Sequence, residues 1–148
     1  MKNESLEHFM SVCEREFRFL IDDFGFTLAP LPEGKFVNQF QFRLSNRSIT
    51  LVVEGINWGM NAMVSLEGNF GRSVGIGCLL PDWAPFAKRK RTRKKNQPNQ
   101  GQQIEKAAQL FKANGQDVLR GDLERFNKIG DRINNIRQKF NGQGSNQS

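Results

Sequence analysis

The stretch that decides the fold is QFQFRLSNRSITLVV, residues Gln39–Val53. Polar and apolar residues alternate on both sides of a central turn, which is the period of a β-strand with one buried face. The turn itself, SNRS, is a cluster of residues that favour reversal of the chain. The sequence therefore predicts a hairpin of two strands, and its buried face carries Phe40, Phe42, Leu44, Ile49, Leu51 and Val53.

Two further strands follow the hairpin. Met60–Leu66 alternates again after the turn GINWG, and Val74–Leu80 follows the turn EGNFGRS. In this last segment Gly75 and Gly77 fall on the side away from the apolar residues, so we expect a helix or loop to approach the sheet closely there. Short turns join all four strands, and an antiparallel meander is the expected topology.

Helical periodicity flanks the strands. Apolar residues in Leu6–Phe24 recur at intervals of three and four, and Gly25 suits the left-handed residue that ends a helix. The same spacing returns over Ile104–Phe111 and, after Asp122 as N-cap, over Leu123–Phe140. The prediction is an α+β fold in which a four-stranded antiparallel meander packs against one N-terminal and two C-terminal helices.

These patterns also predict the core. Residues that lie on the apolar face of a helix or strand are expected to meet between the sheet and the helices. The predicted core includes Phe9, Phe17, Leu20, Phe42, Leu51, Val53, Val64, Ile76, Phe111, Phe126 and Ile133.

The chain of 148 residues has the length of a single domain. We expect one α+β domain over residues 1–148, with a flexible basic connector at about 86–102 and a disordered polar tail at about 141–148. Its 22 Lys and Arg exceed its 15 Asp and Glu by seven, and seven basic residues lie in KRKRTRKK, Lys88–Lys95. The excess charge therefore belongs to one segment of the sequence and not to a basic fold.

The basic run has two interpretations. It is either a solvated loop that the fold does not need, or a surface for an acidic partner or for a nucleic acid backbone. No aromatic residue lies within it to stack on bases, and Trp83 and Phe86 are the nearest, so any nucleic acid contact is expected to be nonspecific. The residues concerned are Lys88, Arg89, Lys90, Arg91, Arg93, Lys94 and Lys95.

The chain lacks an apolar run of about 18 residues, and its first residues are charged, so neither a membrane span nor a signal peptide is expected. These features predict a cytoplasmic protein without membrane contact. In that compartment Cys13 and Cys78 are expected to be reduced, with a bridge between them as the minor alternative.

Residues for catalysis are scarce. The single histidine, His8, is predicted on the wet side of the first helix, away from any nucleophile. The Asp residues fall at helix ends and turns, where capping explains them. The glycine-rich GNFGRSVGIG, residues 68–77, lacks the GK[ST] of a phosphate loop. We therefore predict no enzymatic activity, no metal site and no cofactor.

The segments IEKAAQLFKANGQDVLRGDLERFNKI, Ile104–Ile129, and FLIDDFGF, Phe19–Phe26, carry a resemblance. They resemble parts of small uncharacterised bacterial α+β proteins, some of which are similar to immunity proteins of polymorphic toxin systems. That resemblance implies neutralisation of a toxin by surface complementarity, without catalytic residues. Immunity proteins are often acidic, and this chain is basic.

The functional prediction is a non-enzymatic protein that binds a protein partner, either a toxin or another copy of itself. The alternative is a nonspecific nucleic-acid-associated protein that uses Lys88–Lys95. Aromatic and apolar residues outside the main apolar stripes are the candidate interface. They are Val12 and Phe19, for which packing under another element is the favoured interpretation, Trp58 at a hairpin tip, and Trp83 in the proline-rich segment that follows the last strand.

Overall fold

The computed structural model describes residues 4–30, 38–56, 59–68, 73–81, 83 and 98–144. Over these ranges the fold is α+β, with an antiparallel sheet of strand order β1-β2-β3-β4-β5. The strands are β1 (Thr27–Leu28), β2 (Gln41–Ser45), β3 (Thr50–Ile56), β4 (Asn61–Glu67) and β5 (Ser73–Gly75). The helices are α1 (Glu4–Glu16), α2 (Arg18–Phe24), α3 (Gln100–Asn114), α4 (Gln116–Leu119) and α5 (Glu124–Gly144).

The predicted hairpin is confirmed as β2 and β3. Phe42 lies opposite Val53 and Leu44 opposite Leu51, so the apolar residues of both strands share one face. Asn46 closes the turn, because its side-chain oxygen accepts hydrogen bonds from the backbone N–H groups two and three residues later, at 2.8 and 2.9 Å.

The sheet has one strand more than the four that the sequence predicts. Thr27 and Leu28 pair with Ser45 and Leu44, and the N–H of the next residue, Ala29, donates to the Arg43 carbonyl at 2.9 Å. Two residues are too few to show a period of two, and the prolines that follow predict a loop. The expected number of strands was therefore wrong by one at this edge.

The last predicted strand is shorter than its apolar run. β5 ends at Gly75, and Ile76–Leu79 continues as a 3-10 helix. A Cβ added at Gly75 or Gly77 would meet nothing within 4 Å, so the close approach expected there is wrong. Close approaches occur at other glycines, including Gly68, where a Cβ would lie 2.5 Å from the Phe126 ring.

The observed ends of the helices differ from those that the spacing of apolar residues predicts. The N-terminal helix is interrupted at Phe17, and Gly25 follows it with a φ of 71°, as predicted. α3 begins at Gln100, earlier than the apolar spacing indicates, because Asn99 and Gln102 form a reciprocal capping box. α5 continues to Gly144, into the predicted tail. Within the described ranges, no helix combines the length and apolarity needed to cross a membrane.

Helices cover one face of the sheet and enclose the core. Nine of the eleven predicted core residues are buried, and Val64 and Ile133 are half-buried against them. The contact of α1 and α3 with each other and with strands of the sheet places the core between these layers. The large side chains with less than 2% exposure include Phe9, Phe17, Phe26, Phe42, Phe111 and Phe126.

Candidate functional site

A groove of about 250 Å³ lies between the segment that leaves the 3-10 helix and one face of α5. We call it the Trp83 groove. Its apolar lining comes from Cys78, Leu80, Pro81 and Ile129, and its remaining lining from Trp83, Arg125, Lys128 and Arg132.

The sequence of α5 explains how one helix supplies half of this lining. Arg125, Lys128, Ile129 and Arg132 are spaced by three and four residues, so they share one helical face. The opposite wall is held by a turn in which the Trp83 N–H donates to the Leu80 carbonyl at 3.1 Å. The groove is thus formed by a helix face and a hydrogen-bonded turn.

Arg125 fixes α5 to its neighbours. Its guanidinium donates to both carboxylate oxygens of Asp117, at 2.8 and 3.0 Å, to the Leu79 carbonyl at 2.9 Å and to the Asn114 carbonyl. These hydrogen bonds from Arg125, together with its charge, hold the pKa of Asp117 below its usual value. The Arg125 charge is therefore largely engaged within the protein.

The other two cations of the groove are more accessible. Lys128 pairs with Glu124 at 3.2 Å, but both side chains are about three-quarters exposed, at 76% and 74%. Arg132 lies over the Trp83 ring, with its guanidinium carbon 5.6 Å from the ring centroid. An exposed ion pair such as Lys128–Glu124 contributes on the order of 0–1 kcal/mol to stability, so a ligand can compete with Glu124 for Lys128.

The four predicted interface residues have different outcomes. Val12 is 5% exposed and belongs to the core, so packing under another element is the correct interpretation for it. Phe19 is half-buried against the core, with Lys112 5.5 Å from its ring centroid. Trp58 lies outside the described residues, whereas Trp83 lines the groove.

The predicted basic contact residues, Lys88–Lys95, lie outside the described part of the chain.

Within the described part, charged residues are distributed unevenly among the helices, which the net charge of the chain does not show. Five basic residues and two acidic ones lie in α5, whereas α1 and α2 together carry six acidic residues and two basic ones. The cations beside Trp83 were not among the predicted site residues, although their spacing in the sequence of α5 is the signal that locates them.

The residues considered for chemistry are dispersed. His8 is exposed on α1, and Cys13 is buried, which raises the pKa of its thiol to about 12. No disulfide joins Cys13 and Cys78. Among the described residues no three His, Cys, Asp or Glu side chains are grouped so that they could hold a metal ion. A wider hollow of about 520 Å³ at the β2–β3 turn is lined by one cation, Arg47, with hydroxyl, amide and aromatic side chains.

No protein-family model matches the chain, and no curated protein or solved structure matches it. Functional proposals for the chain therefore depend on the groove and on the sequence.

Proposed function

We propose that the chain is a non-catalytic binding protein that holds a protein partner at the Trp83 groove. The observation that carries the proposal is the contact of Trp83 with Arg132 at the edge of an apolar hollow. Tryptophan and arginine are the residues most often found at the energetic centres of protein interfaces, where they border well-packed pockets.

The size of the groove favours a side chain of a protein over a free small molecule. Small-molecule sites usually enclose about 300–1,000 Å³ and bury most of their ligand. The Trp83 groove has about 250 Å³ and is partly open to solvent. A hollow of this size accommodates one or two anchoring side chains from a larger partner.

The apolar lining supports the same proposal. Leu80 is 39% exposed, one of few large apolar residues that the described surface leaves exposed. Covering such a side chain together with a half-buried tryptophan removes apolar area from water, which is the main favourable term in protein association. The nearby cations would then orient the partner.

The biological setting that we propose is immunity-like. The resemblance at Ile104–Ile129 and Phe19–Phe26 suggests it, and binding by surface complementarity requires no catalytic residue. In this setting the chain acts in the cytoplasm, where it occupies a surface of a toxin. A second copy of the chain is the other protein partner that the sequence leaves open.

Site-specific crosslinking in the source cells tests the proposed surface. A photoreactive residue at Leu80 should give a discrete crosslinked protein, identified by mass spectrometry, and the adduct should disappear when Trp83→Ala is added. The control position is Met63, which is 58% exposed on β4. Equal adducts from both positions, or adducts from Leu80 that persist in Trp83→Ala, would contradict the proposal.

Nonspecific nucleic acid binding is the second candidate function. The contact between Trp83 and Arg132 favours it, because aromatic rings beside cations are the usual platform for single strands. Lys88–Lys95 would supply the phosphate contacts. Under this alternative nuclease would remove the mass that crosslinking at Leu80 adds to the chain, whereas an adduct with a protein would resist nuclease.

A further inference from the structure

We infer that the partner offers the Trp83 groove an acidic segment, with an apolar side chain that enters the groove and carboxylates that meet Lys128 and Arg132. This inference rests on the proposed protein-binding function and adds the chemistry of the partner. It follows from the two kinds of lining that the groove combines.

The apolar part of the lining determines the anchor. Leu80 and Ile129 offer hydrocarbon surface, and Pro81 offers no side-chain hydrogen-bonding group. A polar side chain placed against them would lose hydrogen bonds to water without replacing them, whereas an apolar one gains from burial. The anchor is therefore an aliphatic or aromatic residue.

The cations determine what surrounds the anchor. Lys128 and Arg132 are four residues apart on α5, so their attachment points are separated by about 6 Å along the helix axis. Two carboxylates on one side of an extended segment are about 7 Å apart, since each residue advances about 3.3 Å. Acidic residues close to the anchor can thus reach both cations.

Arg125 is not part of this recognition. Its guanidinium is committed to Asp117 and to two backbone carbonyls, so it is engaged in holding α5 against its neighbours. Lys128 is different, because its partner Glu124 is largely exposed to water and exchangeable. A carboxylate from the partner replaces Glu124 without leaving a buried charge unpaired.

The charge of the surrounding sequence favours an acidic ligand as well. α5 carries a net positive charge, and Lys88–Lys95 follows Trp83 after four residues. Positive charge of this density attracts an acidic chain over a distance of about 8–10 Å at physiological salt and increases its rate of association. The apolar lining then distinguishes a protein segment from a nucleic acid, whose bases need polar partners at their edges or a free ring face.

The inference can be tested with peptides and the full chain. Trp58→Phe leaves Trp83 as the only tryptophan, so its fluorescence reports on the groove. The probes are a short peptide with leucine between two runs of four aspartates, the same peptide with serine in place of leucine, and oligothymidylate. We expect the leucine peptide to shift the Trp83 emission to the blue and to bind about tenfold more tightly than the serine peptide.

Charge reversal locates the carboxylate contacts. Lys128→Glu and Arg132→Glu should each weaken binding of the leucine peptide by about five- to tenfold. The matched control is Arg47→Glu, which makes the same change in net charge at the exposed β2–β3 turn and should alter the affinity less than about twofold. Circular dichroism verifies that each variant remains folded.

Each contrary result has a separate meaning. Equal affinity for the leucine and serine peptides would show that the apolar lining does not contact the ligand. If Arg47→Glu lost as much affinity as Lys128→Glu and Arg132→Glu, the peptide would be attracted by the net charge of the protein and not by these two side chains. If oligothymidylate binds more tightly than the leucine peptide and also shifts the Trp83 emission, the ligand of the groove is a nucleic acid and not an acidic protein segment. If Leu80 crosslinks to a protein in cells while no acidic peptide binds, the protein-binding function stands and the partner chemistry proposed here is wrong.

Discussion

Arg125 is the residue that ties the groove to the rest of the fold. Its hydrogen bonds reach Asp117 in α4, the end of α3 and the last residue of the 3-10 helix. Asp117 and Arg125 are eight residues apart and separated by a turn, so no helical spacing relates them. The sequence predicts a cap or turn role for Asp117 and gives no indication of this partner.

This ion pair predicts how stability depends on pH. The pKa of Asp117 is lowered in the folded protein, so its contribution is fully present above the ordinary value of 3.8 and is lost as the pH falls through the folded value. Asp117→Asn should reduce the free energy of unfolding by about 1 kcal/mol near neutral pH, since both partners are partly exposed. Urea denaturation near pH 3 should show a smaller difference from the wild type. If the difference in unfolding free energy between Asp117→Asn and the wild type is the same at both pH values, this role is contradicted. The control is Asp23→Asn in α2.

Gly68 is a position where the absence of a side chain allows a core residue to pack closely. The Phe126 ring occupies the space that a Cβ would need, so Gly68→Ala should destabilise the protein by about 1–3 kcal/mol through overpacking. Gly77→Ala is the matched control, because a Cβ there meets nothing within 4 Å, and its effect should stay below about 1 kcal/mol. Urea denaturation measures both. A larger loss of unfolding free energy in Gly77→Ala than in Gly68→Ala would contradict the close contact between Gly68 and the Phe126 ring.

At the scale of elements, the start of α3 seals part of the β4 edge. β5 pairs only with Ser65–Glu67, so it does not reach the beginning of β4. There Gln103 accepts a hydrogen bond from the Ala62 N–H at 2.9 Å and donates to the Asn61 side chain, and Gln100 donates to the Asn61 carbonyl at 2.9 Å. These side chains satisfy backbone groups that a neighbouring strand would otherwise bind.

Removing this contact should weaken the edge of the sheet. Gln103→Ala leaves the Ala62 N–H without its acceptor, so we expect a loss of about 1–3 kcal/mol in the free energy of unfolding and faster hydrogen exchange at Ala62. Gln109→Ala, on the exposed side of the same helix, should change stability by less than about 0.5 kcal/mol. Unchanged exchange at Ala62 in Gln103→Ala would rule out the sealing role.

The elements that the sequence predicted correctly are those in which the apolar pattern repeats several times. The β2–β3 hairpin and β4 each show repeated alternation, and Leu6–Phe24 contains five turns of helical spacing interrupted only at Phe17. The elements that it missed are short or depend on distant partners. β1 has two residues, and the Gln100–Gln103 segment resembles a polar linker until its contacts with β4 are known. The groove was missed for the same reason, since Trp83 and α5 are brought together by the fold and lie more than 40 residues apart.

At the scale of the whole molecule, charge is separated along the chain. α1 and α2 are acidic, α5 is basic, and Lys88–Lys95 carries as many positive charges as the net excess of seven. Separation of this kind orients a charged partner before contact, and its effect declines as salt is added.

Replacing the seven basic residues of Lys88–Lys95 by Ser and Gly should separate binding from folding. Adjacent like charges repel one another and have no apolar side chains to bury, so we expect the melting temperature to remain nearly unchanged. The pI should fall, and any retention on nucleic acid that is sensitive to salt should decrease. A loss of several kcal/mol in stability would show instead that the run is built into the fold.

The central claim is that Trp83 and α5 form the surface where the partner binds. Nuclear magnetic resonance can compare two surfaces in one sample, using the indole N–H of Trp83 and the methyl groups of Met60 and Met63, which are 69% and 58% exposed. The sample is the full chain saturated with the protein identified by crosslinking at Leu80. We predict that the Trp83 signal moves and becomes protected from solvent exchange while both methionine signals stay in place. An unmoved Trp83 signal together with shifted methionines would contradict the claim and place the partner on β4.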